Sequence, residues 1–114
     1  MYRVTFWGTR WSIPTPGAGT ARYGGNTPSL EVRHGASQGA EVLILDAGTG
    51  VRALGQHLSS NGQPGSVDLL VSHTHWDHIQ GLPLFTPVFE PGNAIRIWGT
   101  PQGGIDLEEI LRTR

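Results

Sequence analysis

The sequence contains no cysteine, which excludes disulfide bonds and zinc sites built on thiolates. It also lacks any apolar run approaching the roughly 20 residues of a membrane-spanning helix, so we expect no membrane segment. The formal net charge of −1 gives no general attraction to nucleic acid or to anionic membranes. Because the N-terminus begins directly with a strand pattern and shows no signal peptide, we expect a cytoplasmic protein.

The 114 residues suffice for one domain with a modest core. Short apolar runs alternate with turn-rich segments, and 17 glycines and 8 prolines indicate long loops between the elements. Val51, Leu54 and Leu58 share one face at helical spacing. The pattern therefore predicts an α/β domain, with strands near residues 2–7, 28–34, 41–45, 67–72 and 94–98 and helices near 51–60 and 106–111.

Three of the five histidines fall within six residues, together with one aspartate. The four side chains are His73, His75, Asp77 and His78, directly after a strand-like apolar run. Residues two apart on an extended segment project to the same side, so His73 and His75 can converge on one cation. Imidazole and carboxylate suit zinc, manganese or iron. We expect a divalent metal site here; the alternative is a polar loop with incidental histidines.

Three stretches of the sequence resemble one protein family. The histidine-rich stretch is similar to the His-x-His-x-Asp-His signature of the metallo-β-lactamase superfamily, and Leu43–Gly50 resembles the aspartate-glycine turn that precedes it. Three N-terminal pieces resemble the opening of its phosphodiesterase branch, which includes tRNA 3′-processing endonucleases and cyclic-phosphate phosphodiesterases: residues 6–10, 12–14 and 23–27. The resemblance implies a metallo-β-lactamase-like αββα sandwich, of which residues 1–114 would form the N-terminal half of a single domain.

The resemblance also implies roles for individual residues. His73 and His75 would hold a first metal, and Asp77 and His78 a second. We therefore expect two zinc ions, with manganese or iron as alternatives. Asp77 would in addition handle the proton of the attacking water, which makes it the candidate catalytic residue. Asp46 would orient one of the ligand imidazoles, and such a carboxylate fixes the tautomer of its partner.

Further candidates lie in the glycine-rich N-terminal loop. Arg10, Asn26 and Thr27 are candidate substrate-binding residues, since guanidinium and backbone N–H groups recognise phosphate. The alternative is a set of tight turns with a solvated arginine. Trp11 stands where the phosphodiesterase branch commonly has glycine, and it would fit poorly in a turn that needs positive φ.

The other tryptophans are expected to have packing roles. We expect Trp7 and Trp98 in the core, because large aromatic side chains dominate core packing. We expect Trp76 to pack within the histidine-rich loop rather than to stack on substrate.

The predicted function is metal-dependent hydrolysis of a phosphodiester, in a small molecule or at an RNA end, by a metal-activated water. In the family, later residues supply further histidines and a bridging aspartate, but no histidine follows His78 here. A missing C-terminal half or a second chain would then complete the site, and self-association into a homo-oligomer is one such route. Two alternatives stay open: hydrolysis of an ester, thioester or lactam, and a catalytically silent metal-binding or assembly fragment.

Overall fold

A single five-stranded sheet organises the chain, with its strands in sequence order from one edge to the other. The computed structural model describes residues 1–35, 41–62 and 65–112. The strands are β1 (Tyr2–Gly8), β2 (Ser29–His34), β3 (Glu41–Leu45), β4 (Ser66–Leu70) and β5 (Ala94–Trp98).

The sheet is antiparallel at one side and parallel at the other. β1, β2 and β3 pair antiparallel, whereas β3, β4 and β5 pair parallel. Parallel neighbours need long crossovers, and these carry helices. The α-helices are α1 (Gly50–Ser60), α2 (Trp76–Ile79) and α3 (Leu107–Arg112), and 3₁₀ turns occupy Ala18–Thr20, Leu82–Leu84 and Thr86–Phe89.

The core lies between the sheet and α1. Val51, Leu54 and Leu58 of α1 are fully buried, as their helical spacing predicted. Alternate residues of the central strands face them, and Phe85 packs into the same cluster; the strand residues are Val42, Ile44, Val67 and Leu69. The α/β prediction is therefore confirmed, and the helix ends at Asn61 and Gly62 as expected, with Gly62 at positive φ.

Strand β2 turns its polar side toward the helical layer. Glu31 and Arg33 are buried there and form an ion pair with 2.6 Å between Oε2 and Nε. The Trp7 indole N–H donates to Glu31 Oε1 at 3.2 Å. These contacts satisfy the buried charges, and they leave the apolar residues of β2 on the opposite face of the sheet.

That opposite face, called here the open face, carries one apolar residue from every strand in a continuous row. The pairing registers place these residues side by side: Phe6, Leu30, Leu45, Leu70 and Trp98. Phe6, Leu70 and Trp98 are exposed by 66%, 40% and 55%. Strands of parallel sheets are commonly apolar on both faces because layers cover both sides, but in the described residues α1 covers only one.

Two predictions about tryptophans are therefore wrong. Trp98 does not lie in the core, because strand alternation directs it to the open face. Trp76 does not pack within its loop but is 57% exposed, since it occupies the outer side of the first turn of α2. Trp7 is half-buried and packs against the core cluster, close to its predicted role.

The described part of the chain holds one sheet with helices on one side, so the second half of an αββα sandwich is not found within it. That residues 1–114 are the N-terminal part of a larger domain stays a prediction. α1 has 11 residues, and no helix in the described ranges has the length and apolar character needed to cross a membrane.

Candidate metal centre

The histidine-rich segment leaves the carboxyl end of β4, beside the end of β3. In sheets with parallel strands, this edge is where ligand sites usually form. His73 and His75 lie in the segment that follows β4, and α2 then begins at Trp76, which turns Asp77 and His78 back toward the strand end. His73, His75, Asp77 and His78, with Asp46 behind them at the end of β3, are called the histidine cluster.

The imidazole ring of His73 lies against the rings of both other histidines of the cluster. The ring centroids of His73 and His75 are 4.6 Å apart, and those of His73 and His78 are 4.0 Å apart. His73 and His75 lie close together, as their i, i+2 spacing predicts, and the predicted chain turn adds His78; their convergence on one cation stays a prediction. The structure brings together all three histidines that the sequence singled out.

Asp46 reaches His73 through a serine. Ser72 donates its backbone N–H to Asp46 Oδ1 at 2.7 Å, and its hydroxyl lies within 2.8–2.9 Å of both carboxylate oxygens. The same hydroxyl lies 2.9 Å from His73 Nδ1. A hydroxyl has one proton, so when it donates to Asp46 it accepts from Nδ1–H of His73. That tautomer, assigned from the network, leaves His73 Nε2 with a free lone pair.

Asp77 is buried, with 6% of its surface exposed, and two groups approach its carboxylate. The backbone N–H of Ser12 donates to Oδ2 at 3.1 Å, and His78 Nε2 lies 3.4 Å from the same oxygen. A buried carboxylate needs such partners, because desolvation of an isolated charge is costly. The N-terminal loop therefore holds the one acidic group of the histidine-rich segment in place.

Among the described residues, His78 has a buried ring nitrogen, Nδ1, without a hydrogen-bond partner. Its Nδ1 lies 3.0 Å from Asp46 Oδ2, a distance that suits an ion pair, yet the direction of the contact does not meet hydrogen-bond geometry. A hydrogen bond weakens steeply when it is bent, so this short contact does not satisfy the nitrogen. Buried polar groups in native proteins are nearly always satisfied, so this atom marks a place where a partner belongs.

Close backbone approach explains why the cluster forms here. A side-chain carbon at Gly48 would lie 2.5 Å from Thr27 Oγ1 and 2.6 Å from the carbonyl oxygen of Asp77, so only glycine lets the turn after β3 contact α2. Gly81 makes a similar approach to the Gly48 carbonyl. Ala47 then accepts from Gly81 N–H and donates to His78 O, each at 2.8 Å.

Only part of what a divalent metal requires is present in the cluster. Imidazole nitrogen and carboxylate oxygen are the right donors, and the orphaned His78 nitrogen is consistent with a missing partner. Across residues 1–35, 41–62 and 65–112, however, no group of three or more His, Asp or Glu side chains is arranged to hold a metal ion. These ranges contain every histidine and acidic residue of the sequence. The donor types fit a divalent metal, but among the described residues too few donors converge on one point to hold it.

The candidate substrate residues fall into different environments. Arg10 is exposed at the wall of the N-terminal loop, and its Nε donates to Ile13 O at 2.9 Å. Asn26 is exposed, and its side-chain oxygen accepts from the Thr49 hydroxyl. Thr27 is fully buried, and its hydroxyl accepts from Thr49 N–H at 2.7 Å and from Gln80 at 3.1 Å. Thr27 therefore ties the loop to α1 and α2, and only Arg10 and Asn26 are open to a ligand.

Two residues with a role in the cluster were not predicted. Ser72 was assigned to a strand, although its place directly before His73 was the available signal. Ser12 acts through its backbone amide, which leaves no trace in the residue type. The turn does need positive φ, but at Ser12 (φ 76°) and not at Trp11, so the expected conflict at Trp11 does not arise.

Comparison with known proteins gives a limited result. No protein-family model matches the sequence, and a search of curated proteins finds no match. Among solved structures, the chain resembles a Thermotoga maritima protein described as a candidate metallo-beta-lactamase and solved at 2.10 Å resolution, with 22% identity and a TM-score of 0.44. The match covers 74% of this chain but 39% of that one, so the chain spans about two-fifths of its neighbour. A likeness this weak assigns neither family nor activity.

Proposed function

We propose that the histidine cluster supplies ligands for divalent metal ions, with zinc as the first expectation, in a hydrolase that cleaves phosphodiesters. The observation that supports this is the packing of three imidazoles and a buried carboxylate at the carboxyl ends of neighbouring parallel strands. Proteins seldom gather such groups without a metal or catalytic use. Signature resemblance to metallo-β-lactamases points the same way, and the phosphodiester preference rests on the N-terminal resemblance and on Arg10.

Each side chain has a task in this proposal. His73 and His75 would hold one ion, Asp77 and His78 would hold a second, and Asp46 fixes the His73 tautomer through Ser72. A bound ion would supply Lewis acidity and a more acidic water. The Asp77 carboxylate, which the Ser12 N–H holds in position, would accept the proton of the attacking water.

The remaining metal ligands come from outside these 114 residues in the proposal. The cluster lacks a third converging donor, and catalytic zinc usually has three protein ligands. A C-terminal part of a longer polypeptide or a second chain would supply them, and a homo-oligomer is one form of the second route.

Metal binding is the first test. The H75A/D77A double variant should lose most of its zinc or manganese affinity in isothermal titration calorimetry. The matched control is H34A/H57A, which removes the two histidines outside the cluster and should leave affinity unchanged. Equal affinity in wild type and H75A/D77A, or an equal loss in both double variants, would refute the assignment of ligands.

Turnover is the second test, in the full-length protein with bis(p-nitrophenyl) phosphate as substrate. We expect H75A/D77A to lower the metal-dependent rate at least about a hundredfold, because both ligation and proton transfer are removed. Carboxylic esters, thioesters and a β-lactam should react more slowly than the phosphodiester. Faster turnover of one of these substrates would support a hydrolase that acts on that substrate class and not on phosphodiesters.

One observation favours a second candidate function. Since no three donors converge in the described residues, the chain can instead be a metal-binding or assembly module without catalysis. Near-stoichiometric metal by elemental analysis, with no turnover of any substrate in the panel, would decide for the module.

A further inference from the structure

A cavity of about 540 Å³ lies in the N-terminal loop, next to the histidine cluster but separate from it. Its side-chain walls are Thr9, Arg10, Trp11, Thr20, Arg22 and Tyr23. This volume is in the range of small-molecule sites.

Backbone hydrogen bonds brace the loop across its width: Thr9 and Arg10 donate to Asn26 O, Thr15 donates to Gly25 O, and Gly24 donates to Thr20 O. These bonds fix the backbone that carries the side-chain walls of the cavity.

The cavity is basic in a chain whose net charge is −1. Arg10 and Arg22 line it, and its lining includes no acidic side chain. Arg10 uses Nε for Ile13 O, and within the described ranges its terminal nitrogens have no hydrogen-bond partner. The same holds for the whole guanidinium of Arg22. Two guanidiniums with free donors are well suited to a phosphate group.

Two large aromatic side chains border the same cavity. Trp11 is 78% exposed and Tyr23 is 73% exposed. The Arg22 guanidinium carbon lies 5.1 Å from the centre of the Tyr23 ring, in a cation–π contact. Exposed rings beside cations resemble the platforms on which nucleic-acid bases stack. Trp11 has no ring partner among the described residues, so its face is open to a planar group.

The loop connects this cavity to Asp77. Ser12 directly follows Trp11, and its N–H holds the Asp77 carboxylate. We propose that the cavity binds a nucleoside monophosphate unit, with the phosphate on Arg10 and Arg22 and the base against Trp11. The inference deepens the proposed function and rests on it in one respect: the bound unit would be the part of the substrate next to the cluster. The binding itself requires no metal.

Calorimetric titration with adenosine 5′-monophosphate, ribose 5-phosphate and adenosine, in the presence of a chelator, tests the proposal. We expect the monophosphate to bind about tenfold more tightly than either partial ligand, since stacking and phosphate contacts each contribute at least that much. Ribose 5-phosphate binding as tightly as the monophosphate would overturn the proposal, as would no binding of any ligand.

Variants then assign the contacts. W11A should weaken the monophosphate about tenfold and leave ribose 5-phosphate unchanged, and W11F should restore part of the loss. R10A/R22A should weaken both phosphates and spare adenosine. R3A and W98F are matched controls away from the cavity and should change nothing. An equal loss for all three ligands in W11A would contradict stacking, and circular dichroism verifies that each variant is folded.

Further outcomes distinguish a free nucleotide from a unit within an RNA chain, and they distinguish this inference from the proposed hydrolase function. A short RNA that binds through the same residues more tightly than the monophosphate would identify a unit within a chain, and equal affinity would identify a free nucleotide. Nucleotide binding without hydrolysis of any substrate would retain this inference and remove the hydrolase. Hydrolysis without selectivity for the base would retain the hydrolase and remove this inference.

Discussion

The backbone N–H of Ser12 donates a 3.1 Å hydrogen bond to Asp77 Oδ2, across 65 residues of sequence. This single contact joins the N-terminal loop to the histidine cluster. It depends on the unusual backbone of Ser12, whose φ of 76° lies in the left-handed region. The conformation of one loop residue therefore helps to fix the position of the candidate catalytic carboxylate.

Substitution of Ser12 should affect stability through its backbone. Ser12→Val should lower the free energy of unfolding by about 1 kcal/mol or more, because a β-branched residue is strained at positive φ. Ser12→Gly should be neutral or slightly stabilising. Urea denaturation measures both, with Ser66→Val in an extended strand as the control. If Ser12→Val and Ser66→Val were equally stable, the left-handed conformation would be contradicted.

Gly48 should tolerate no side chain. Gly48→Ala places a carbon within 2.6 Å of Thr27 Oγ1 and of two carbonyl oxygens, so α2 must move away from the turn after β3. We expect a loss of about 1–3 kcal/mol in the free energy of unfolding. Gly19→Ala is the control, since nothing lies within 4 Å of the added carbon there. Thermal denaturation of the two variants gives the comparison, and similar midpoints would argue against the close packing.

Asp46 should control metal affinity without touching the metal. Asp46→Asn keeps the shape of the side chain and tolerates the positive φ of 66°, but it removes the charge that orders Ser72 and His73. We expect zinc affinity to fall about 10- to 100-fold, as for other partners of ligand histidines. Calorimetry measures the loss, and nitrogen-15 NMR of the imidazoles should show a changed His73 tautomer.

Asp106→Asn is the matched control for that experiment, because Asp106 is exposed and remote in sequence from the cluster. Wild-type zinc affinity in Asp46→Asn would remove Asp46 from the proposed centre. An unchanged His73 tautomer together with reduced affinity would assign Asp46 a role through His78 alone.

Asp68 should titrate below its ordinary range. Hydrogen bonds from Arg96, at 2.8 and 3.0 Å, and then from Trp98 lower the pKa of this carboxyl from its usual 3.8. Since the folded-state pKa lies below the unfolded value, the stabilisation is present above about pH 4 and is lost as the pH falls through the lowered pKa. Carbon-13 NMR should show the midpoint rising toward 3.8 in Arg96→Gln.

The control for the Asp68 titration is Arg112→Gln, which removes a different exposed ion pair, with Glu108. It should leave the Asp68 midpoint in place. A midpoint at the ordinary value in the wild-type protein would show that the hydrogen bonds seen on the open face do not persist in solution.

Local patterns predicted much of the fold. The spacing of Val51, Leu54 and Leu58 predicted the buried face of α1, and the apolar run over residues 41–45 predicted strand β3. The proximity of the His73 and His75 rings agrees with their i, i+2 spacing in the sequence. These predictions succeed because the relevant distances are set by a few bonds of the same backbone.

Contacts between distant segments escaped prediction, for identifiable reasons. The Ser12 contact with Asp77 uses the backbone N–H, which every residue except proline has, so the residue type does not reveal it. Trp98 is large and apolar, which favours a core position, but alternation along β5 places it on the open face. β2 buries Glu31 and Arg33 because they neutralise each other, whereas a sequence pattern treats each charge alone. The position of Asp46 at the end of β3 predicts its role, but its link to His73 through Ser72 depends on the tertiary structure.

The apolar row on the open face has a consequence for the candidate site. A hollow of about 620 Å³ is bordered by Leu30, Leu45, Leu70 and Trp98 of that row and also by Asp46 and Ser72. A group bound in this hollow would contact the apolar row and also Asp46 and Ser72, which link to His73. A layer packed on this apolar row would therefore also exclude water from Asp46 and Ser72.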